Sequence, residues 1–379
     1  MIVHINPQDI SQAIKRIVAI PPSRTPTPDD RHKVAKLELD ASDRGIVMTV
    51  SNPTTYASVL CPGRVERDNS DKSVLVDCAR FIRMATIAKD MILLSASKKE
   101  VKINSGGWEM SLTTSVKSIP EPAKNEFKNV LRAPAEKIFH AIRAVTPAAS
   151  RTDARFHLTG MVIEFFGDRV YVVCSDGIRL SSARVPIRDM KGKPSRFIIP
   201  AKAANLVAMF LGSSEDLATI ACDKNMVWAW NDSGFIVVNQ LEGKFPQWTE
   251  FLKTDGYHFI KIARSDAIDA INRAALALDS AKQEGEISLG VNICIENGSL
   301  TASGESPVHG VSTWTTPVEQ QSTDRLSFCL KYDTFLTALR SISDDMIFIG
   351  SKDEDSAVHI YGNTARWIIA PVKHVQVRD

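Results

Sequence analysis

Ser175-Asp176-Gly177, followed by Arg179, is the stretch whose residue types most invite a chemical reading. A serine beside a carboxylate is the raw material of acyl transfer, and an aspartate on a turn can serve as a general base. Either chemistry needs a second group in reach, and this trio has no local base. The eight histidines (His4, His32, His140, His157, His258, His309, His359 and His374) show no metal-ligand spacing. His157 and His359 sit in strand-like patterns and are expected to face solvent or a turn. The chain has no Gly-x-Ser-x-Gly, no Walker-type phosphate loop and no His-Glu-x-x-His. The six cysteines (Cys61, Cys78, Cys174, Cys222, Cys294 and Cys329) are scattered and form no Cys-x-x-Cys pair. Contexts such as VNICIEN read as small core hydrophobes in a reducing, cytoplasmic compartment. No metal or cofactor is expected. Catalysis would require Asp43, Asp168 or Asp176 to converge with a histidine.

The elements that carry these acids explain them better. Three segments look alike, opening on Ala13, Ala141 and Ala270, which fall 128 and 129 residues apart. Each gives a helix, a strand, a turn (Asp43-Arg44-Gly45, Gly167-Asp168-Arg169 or Asn297-Gly298), a second strand and a second turn opening with serine. Those serines are read as Ser51, Ser175 and Ser303. A further strand–helix–strand unit recurs from Ser73, Ser195 and Asp324. Acids and glycines placed three times at turns point to repeated hairpin chemistry rather than catalysis. Apolar spacing predicts helices over 8–19, 77–90, 135–145, 200–211, 264–279 and 331–342, and alternation in KVAKLELD and WIIAPV predicts half-buried strands. The fold class is therefore α+β, in three domains: 1–126, 127–256 and 257–379. The boundaries fall in the Pro-bearing polar stretches SIPEPAKNEFKN and FPQWTEFLKTDGYH.

The 379 residues are 44% hydrophobic and 24% charged, as in ordinary globular proteins. No apolar run approaches the ~20 residues of a membrane helix, and MIVHINPQDI does not read as a secretory signal. The net charge of +2 is nearly neutral, yet the six predicted helices hold twelve basic residues against eight acidic ones. Helices lining one surface would make it positive and suited to phosphates without base readout. The plain alternative is a set of solvated helix faces.

These repeats resemble the bacterial DNA polymerase III beta subunit, the replicative sliding clamp, over nearly the whole chain. CSDGIRLSSARVPI, RFIIPAKAANLV, EGKFPQW, RFHLTGMVIE, GVNICIENGSLTA and the Ala-Pro-Val near the end carry the resemblance. It implies three clamp domains per chain and a head-to-tail homodimer closed into a ring, with helices inside and sheets outside. It further implies duplex DNA in the hole, and a replicative polymerase, a loader and repair proteins docking short linear peptides. The protein would act as a processivity subunit with no catalytic site of its own.

By motif match, the resemblance implies DNA-facing roles for Arg24, Arg80, Arg155 and Lys202, and the helix pattern adds Lys15, Lys137, Arg143 and Arg273. It implies a partner-peptide cleft of Leu158, Ser175, Gly177, Ile178, Arg179, Leu180, Pro246, Val358, Ile368, Ile369, Ala370, Pro371 and Val372. Met110, Leu112, Leu276 and Ala277 fall where the family packs its ring interface, although Met110 and Leu276 read equally well as domain core. The chain departs from the family pattern in places. Ala370-Pro371-Val372-Lys373-His374 replaces the usual Met-Pro-Met-Arg-Leu, and Val375 to Asp379 extend it. Ile178 stands in place of a common histidine, and Asp355 in place of a cleft valine. Altered peptide preference is the expected consequence. Two alternatives stay open: a specialised paralogue with other partners, and a multidomain adaptor that never encircles DNA.

Overall fold

The computed structural model describes residues 1–20, 36–66, 73–115, 119–123, 126–152, 155–278, 290–307, 309–320 and 325–372. Chain order shows one arrangement three times. The first runs β1 (Ile2–Ile5), α1 (Pro7–Ile17), β2 (Lys36–Ser42), β3 (Gly45–Asn52), β4 (Thr55–Pro62), β5 (Arg64–Glu66), β6 (Ser73–Asp77), α2 (Cys78–Ile87), β7 (Ile92–Ala96), β8 (Glu100–Ser105) and β9 (Trp108–Thr113). The second runs β10 (Asn129–Pro134), α3 (Ala135–Val145), β11 (Gly160–Phe166), β12 (Arg169–Ser175), β13 (Arg179–Val185), β14 (Asp189–Lys191), β15 (Ser195–Pro200), α4 (Ala201–Leu211), β16 (Leu217–Cys222), β17 (Met226–Asn231) and β18 (Gly234–Asn239). The third runs β19 (His258–Ala263), α5 (Arg264–Ala274), β20 (Gly290–Glu296), β21 (Ser299–Ser306), β22 (Gly310–Pro317), β23 (Glu319–Gln320), β24 (Leu326–Lys331), α6 (Tyr332–Ser341), β25 (Met346–Ser351), β26 (Val358–Tyr361) and β27 (Arg366–Ile369).

Local chemistry sets the helix ends. Asn6 caps α1 by accepting from Gln8 N at 2.9 Å, and Pro7 takes the first turn, where no backbone donor is needed. Ile10, Ala13, Ile14 and Ile17 then fall on one buried face. Asp77 caps α2 through Arg80 N at 2.8 Å. Gly212, at φ +75°, ends α4. The α3 bounds match the sequence expectation. The expected helix over 264–279 stops earlier: α5 ends at Ala274 and a 3-10 turn follows over Ala275–Ala277.

The chain forms two compact units. Unit 1 comprises 1–139, 165–169 and 186–241; unit 2 comprises 140–164, 170–185 and 242–379. In unit 1, one antiparallel sheet runs β5-β1-β7-β8-β9 and a second runs β14-β10-β16-β17-β18-β4-β3-β2-β6. Helix α1 packs on α2, α4 and β4. In unit 2, the strand order β11-β12-β13-β27-β26-β25-β19-β23 forms one sheet run, and β22-β21-β20-β24 forms another sheet. Two joins link strands from successive repeats. β4 pairs with β18 (Tyr56↔Val237, Ser58↔Phe235), and β13 pairs with β27 (Arg179↔Ile369, Leu180↔Ile368). The strands in the corresponding third positions, β22 and β9, are each the last strand of their sheet.

The first hairpin turns fall where expected, including Asn297-Gly298, whose φ values of 50° and 70° suit a tight two-residue turn. One expected turn moves. Ser303 lies inside β21, paired with Thr313, and the strand continues to Ser306, which pairs with Gly310. The serine opening the third turn is thus Ser306, because β21 and β22 form longer strands.

Candidate functional site

The Ser-Asp-Gly trio sits at the tip of the β12–β13 hairpin, and its polar atoms are spent on the tip itself. Ser175 Oγ accepts from Gly177 N (3.1 Å) and donates to Arg179 O (2.8 Å). Asp176 Oδ1 accepts from the backbone N–H of Ile178 (3.0 Å) and Arg179 (2.9 Å), while Oδ2 takes Arg179 Nε at 2.9 Å. Asp176 is therefore an Asx-turn acceptor paired with a half-buried arginine. Gly177 has φ +91°, a region L side chains rarely adopt, and a Cβ built there would lie 3.2 Å from a guanidinium nitrogen of Arg155. The tip projects Ile178, whose relative exposure is 68%.

Two further segments reach this tip and a third adjoins one of them, all within unit 2. The end of β27 runs beside it: Ala370 N donates to Ile178 O at 2.9 Å, and Val372 N then donates to Cys329 O at 2.9 Å. The 3-10 turn Phe156–Thr159 follows Arg155 and buries Leu158. The stretch after β18 approaches that turn, since a Cβ on Gly243 would lie 3.0 Å from His157 Cβ. It then buries Phe245 and Trp248 while exposing Pro246. Of the expected cleft residues, Leu158, Ser175, Leu180, Val358, Ile368 and Ile369 are buried. Gly177, Ile178, Pro246 and Ala370 are exposed, while Arg179, Pro371 and Val372 are half-buried. Asp355 is exposed on the loop between β25 and β26, its N–H donating to Asp353 Oδ1 at 3.1 Å. Lys373 to Asp379 lie outside the described residues.

The cations divide. Lys15, Arg80 and Lys202 are exposed on α1, α2 and α4 of unit 1. Lys137 is exposed but bridges Glu136 at 2.8 Å, which raises its pKa through that hydrogen bond and the carboxylate charge. Arg143 is exposed on α3. Arg273 is exposed at the end of α5, with its guanidinium 4.0 Å from the Trp314 ring centroid on β22. Arg16 is structural: it donates to Phe210 O and to Leu211 O (3.3 Å), and burial lowers its pKa. Arg24 lies outside the described residues. Within their observed bounds the six helices hold ten basic residues and five acidic ones.

Arg155, expected to face DNA, has its guanidinium against Gly177 at the hairpin tip. The sequence offered no spacing that would bring residues 155 and 177 together. Of the expected interface set, Met110 (36% exposed, on β9) and Leu276 (78%) are open, so the core reading fails for these two. Leu112 and Ala277 are buried in the chain's own core. The expectation for His359 is overturned. It is buried on β26, 4.7 Å ring to ring from Tyr257, and burial together with the Arg366 charge lowers its pKa to about 4. His157 lies not in a strand but in the 3-10 turn.

Burial pushes the thiols of Cys61 and Cys78 up to about 12 and that of Cys329 to about 11, and it raises those of Cys174 and Cys222 as well. They are inert core groups at neutral pH. Among the described residues no cluster of His, Cys, Asp or Glu could hold a metal, and no helix is long and apolar enough to cross a membrane. Unit 1 has an open cavity of about 560 Å³ on the sheet face over the β4–β18 join. Phe127, Trp228, Trp230, Phe235, Leu60 and Val47 line it, with Arg44 and Asp232 also on its wall.

Residues 132–247 match the family model of the DNA polymerase III beta subunit, central domain. The beta sliding clamp of Chlamydia pneumoniae is 22% identical over 352 residues, covering 92% of each chain. The fold is similar to that of the DNA polymerase III beta subunit of Thermotoga maritima (TM-score 0.84, 16% identity, 99% of this chain and 100% of that one). It is likewise similar to the sliding clamp of Pseudomonas aeruginosa bound to griselimycin (TM-score 0.85, 16% identity, the same coverage). The α+β clamp fold and the resemblance read from the sequence are borne out: residues 132–247 match the central domain of that family, and the chain is similar to sliding clamps in sequence and in fold.

Proposed function

We propose that the protein confers processivity on a replicative DNA polymerase by encircling duplex DNA as a closed homodimer and docking partner peptides at the hairpin-tip cleft of unit 2. The observation that carries the reading is the state of the strand joins. Three repeats of one element order offer three equivalent joins. Among the described residues the chain makes two of them, β4–β18 and β13–β27, and leaves β22 and β9 as sheet edges. Both edges are long, and both carry exposed apolar side chains: Met110 on β9, Val311 and Trp314 on β22. Unpaired edges of this kind are templates for another chain. A head-to-tail contact of β22 with the β9 of a second copy repeats the internal join and closes a ring. Met110 and Leu276 are the accessible anchors of that interface.

In this reading the division into 1–126, 127–256 and 257–379 describes three clamp domains. Lys15, Arg80 and Lys202, together with Arg24, Arg143 and Arg273, supply non-specific phosphate contacts. These need only be weak, because a closed ring holds DNA topologically. Arg155 belongs to the cleft. The cleft pairs a buried apolar floor with Ile178, Pro246 and Ala370 at its rim, the pattern of a groove that takes an apolar peptide anchor. With Ala370 and Val372 in place of larger side chains, it should be wider or shallower than the family pattern. The protein performs no chemistry of its own and works in the cytoplasm.

The test combines solution mass with DNA retention. A mass of about twice 41.7 kDa, with loading on closed circular DNA and loss from linear ends, supports the reading. Equal retention on both forms contradicts it.

A further inference from the structure

We infer that Glu164 is the positioning residue of the partner cleft, acting through Trp248 on the segment that presents Pro246. This rests on the cleft reading given above. Glu164 is the one charged residue in the strand GMVIEFF of β11, and it is buried. A carboxylate in such a place must be hydrogen-bonded. Its Oε2 accepts from the indole Nε1 of Trp248. That indole is itself buried, 5.3 Å ring to ring from Tyr171 on β12.

Around Trp248 the chain is fastened like a clasp. Phe245 and Trp248 point inward; Pro246 and Gln247 are exposed. Upstream, Gly243 rests on His157, next to Leu158 of the floor. Downstream, Leu252 O accepts from an Arg366 guanidinium nitrogen at 3.2 Å, and Arg366 begins β27, which carries Ile368 and Ile369. Apolar burial alone would hold an indole in either of two flipped orientations. A charge-assisted bond to a fixed carboxylate selects one, and with it the path of the backbone two residues away. Unit 1 uses the same device: Glu38 on β2 accepts from Ile119 N at 2.8 Å, tying down the segment between the first two repeats.

Three variants separate positioning from mere support. Glu164→Gln keeps an acceptor of the same shape. Glu164→Leu keeps the volume and removes the acceptor. Trp248→Phe removes the donor together with part of the buried ring volume. Each is read by affinity for a fluorescein-labelled consensus clamp-binding peptide, by amide exchange over residues 245–252, and by solution mass. Glu164→Leu and Trp248→Phe should each bind the peptide about tenfold more weakly, and their combination no more weakly than either alone. Exchange over 245–252 should quicken while the mass stays unchanged. Glu164→Gln should stay within about twofold of the parent. Wild-type affinity in Trp248→Phe, equal losses in Glu164→Gln and Glu164→Leu, or additive losses in the double variant would overturn the inference. If the parent protein itself binds no peptide, the cleft reading fails instead. The exchange comparison then decides alone, and unchanged exchange in Glu164→Leu overturns the role of Glu164.

Discussion

The β4–β18 join of unit 1 and the β13–β27 join of unit 2 are the same construction, finished differently. Both pair the third strand of one repeat's hairpin series with the last strand of the next repeat. On unit 1 the sheet face beside the join stays open as an aromatic-walled cavity, with Phe127 stacked 5.9 Å from Trp230. On unit 2 the corresponding part of β27 holds Arg366, whose guanidinium lies 4.4 Å from the Tyr361 ring and also binds the Leu252 carbonyl. The hairpin tips differ too. In unit 1, Asn52 Oδ1 accepts from the backbone of Thr54 (2.9 Å) and Thr55 (2.8 Å), and the tip presents Pro53 and Thr54. In unit 2, Asp176 does the same work while an arginine pairs with it and Ile178 is thrust outward. Repetition thus supplies the frame, and single residues at the tip and on the last strand set apart the copy proposed above as a docking surface. The third copy of the join is unmade among the described residues, and it is the one proposed above for a second chain.

The sharpest way to break the comparison is to spoil the unmade join while leaving the made ones intact. Met110→Asp combined with Leu276→Asp places charges on two exposed positions. Dimer affinity should fall at least 100-fold, with little change in the thermal midpoint, as measured by analytical ultracentrifugation and calorimetry.

Acid should separate the two units. His359 is the one buried histidine among the described residues, and it belongs to unit 2. Its folded pKa of about 4 lies below the ordinary 6.5, so the folded chain prefers the neutral ring. Its contribution to stability is complete above about pH 6.5 and is lost as pH falls toward about 4, on the order of 3 kcal/mol in all. Urea titrations across that range should show a flatter pH dependence in His359→Gln than in the parent. An identical slope would remove His359 from the account.

Smaller effects belong to the tip. Gly177→Ala forces a Cβ into a φ of +91° and toward Arg155; a loss of about 1–2 kcal/mol and weaker peptide binding should follow. Ile178→Ser should weaken the peptide by about tenfold at unchanged stability, since the side chain is exposed before binding. Smallest is the pair Arg80→Gln and Lys202→Gln, which should lower the salt dependence of DNA retention by about two phosphate contacts' worth without altering peptide affinity.

The repeats were legible in the sequence because hairpin turns and helix faces announce themselves locally. Asp43-Arg44-Gly45 and Asn297-Gly298 carry turn chemistry in two or three residues, and Ala135–Val145 carries helical spacing throughout. What depends on distance in sequence was not legible. Ser303 resembles Ser175 locally, yet strand pairing runs on to Ser306. His359 alternates like a surface residue, but Tyr257 and its sheet neighbours cover it. Arg155 meets Gly177 only because a loop folds back onto a hairpin. Glu164 was not singled out: a lone acid in an apolar strand is the signal that marks it, but its partner Trp248 lies 84 positions away.

The most direct test of the central claim is to trap the unmade join. Cysteines introduced in place of Met110 on β9 and Ser312 on β22, which oppose each other when the register of the made joins is repeated, should, under mild oxidation, link two chains into a species of about twice 41.7 kDa. Loaded on nicked circular DNA and then linked, that species should resist high salt and leave only when the DNA is cut. A chain that stays monomeric, or a linked dimer that salt strips from the uncut circle, would contradict the account.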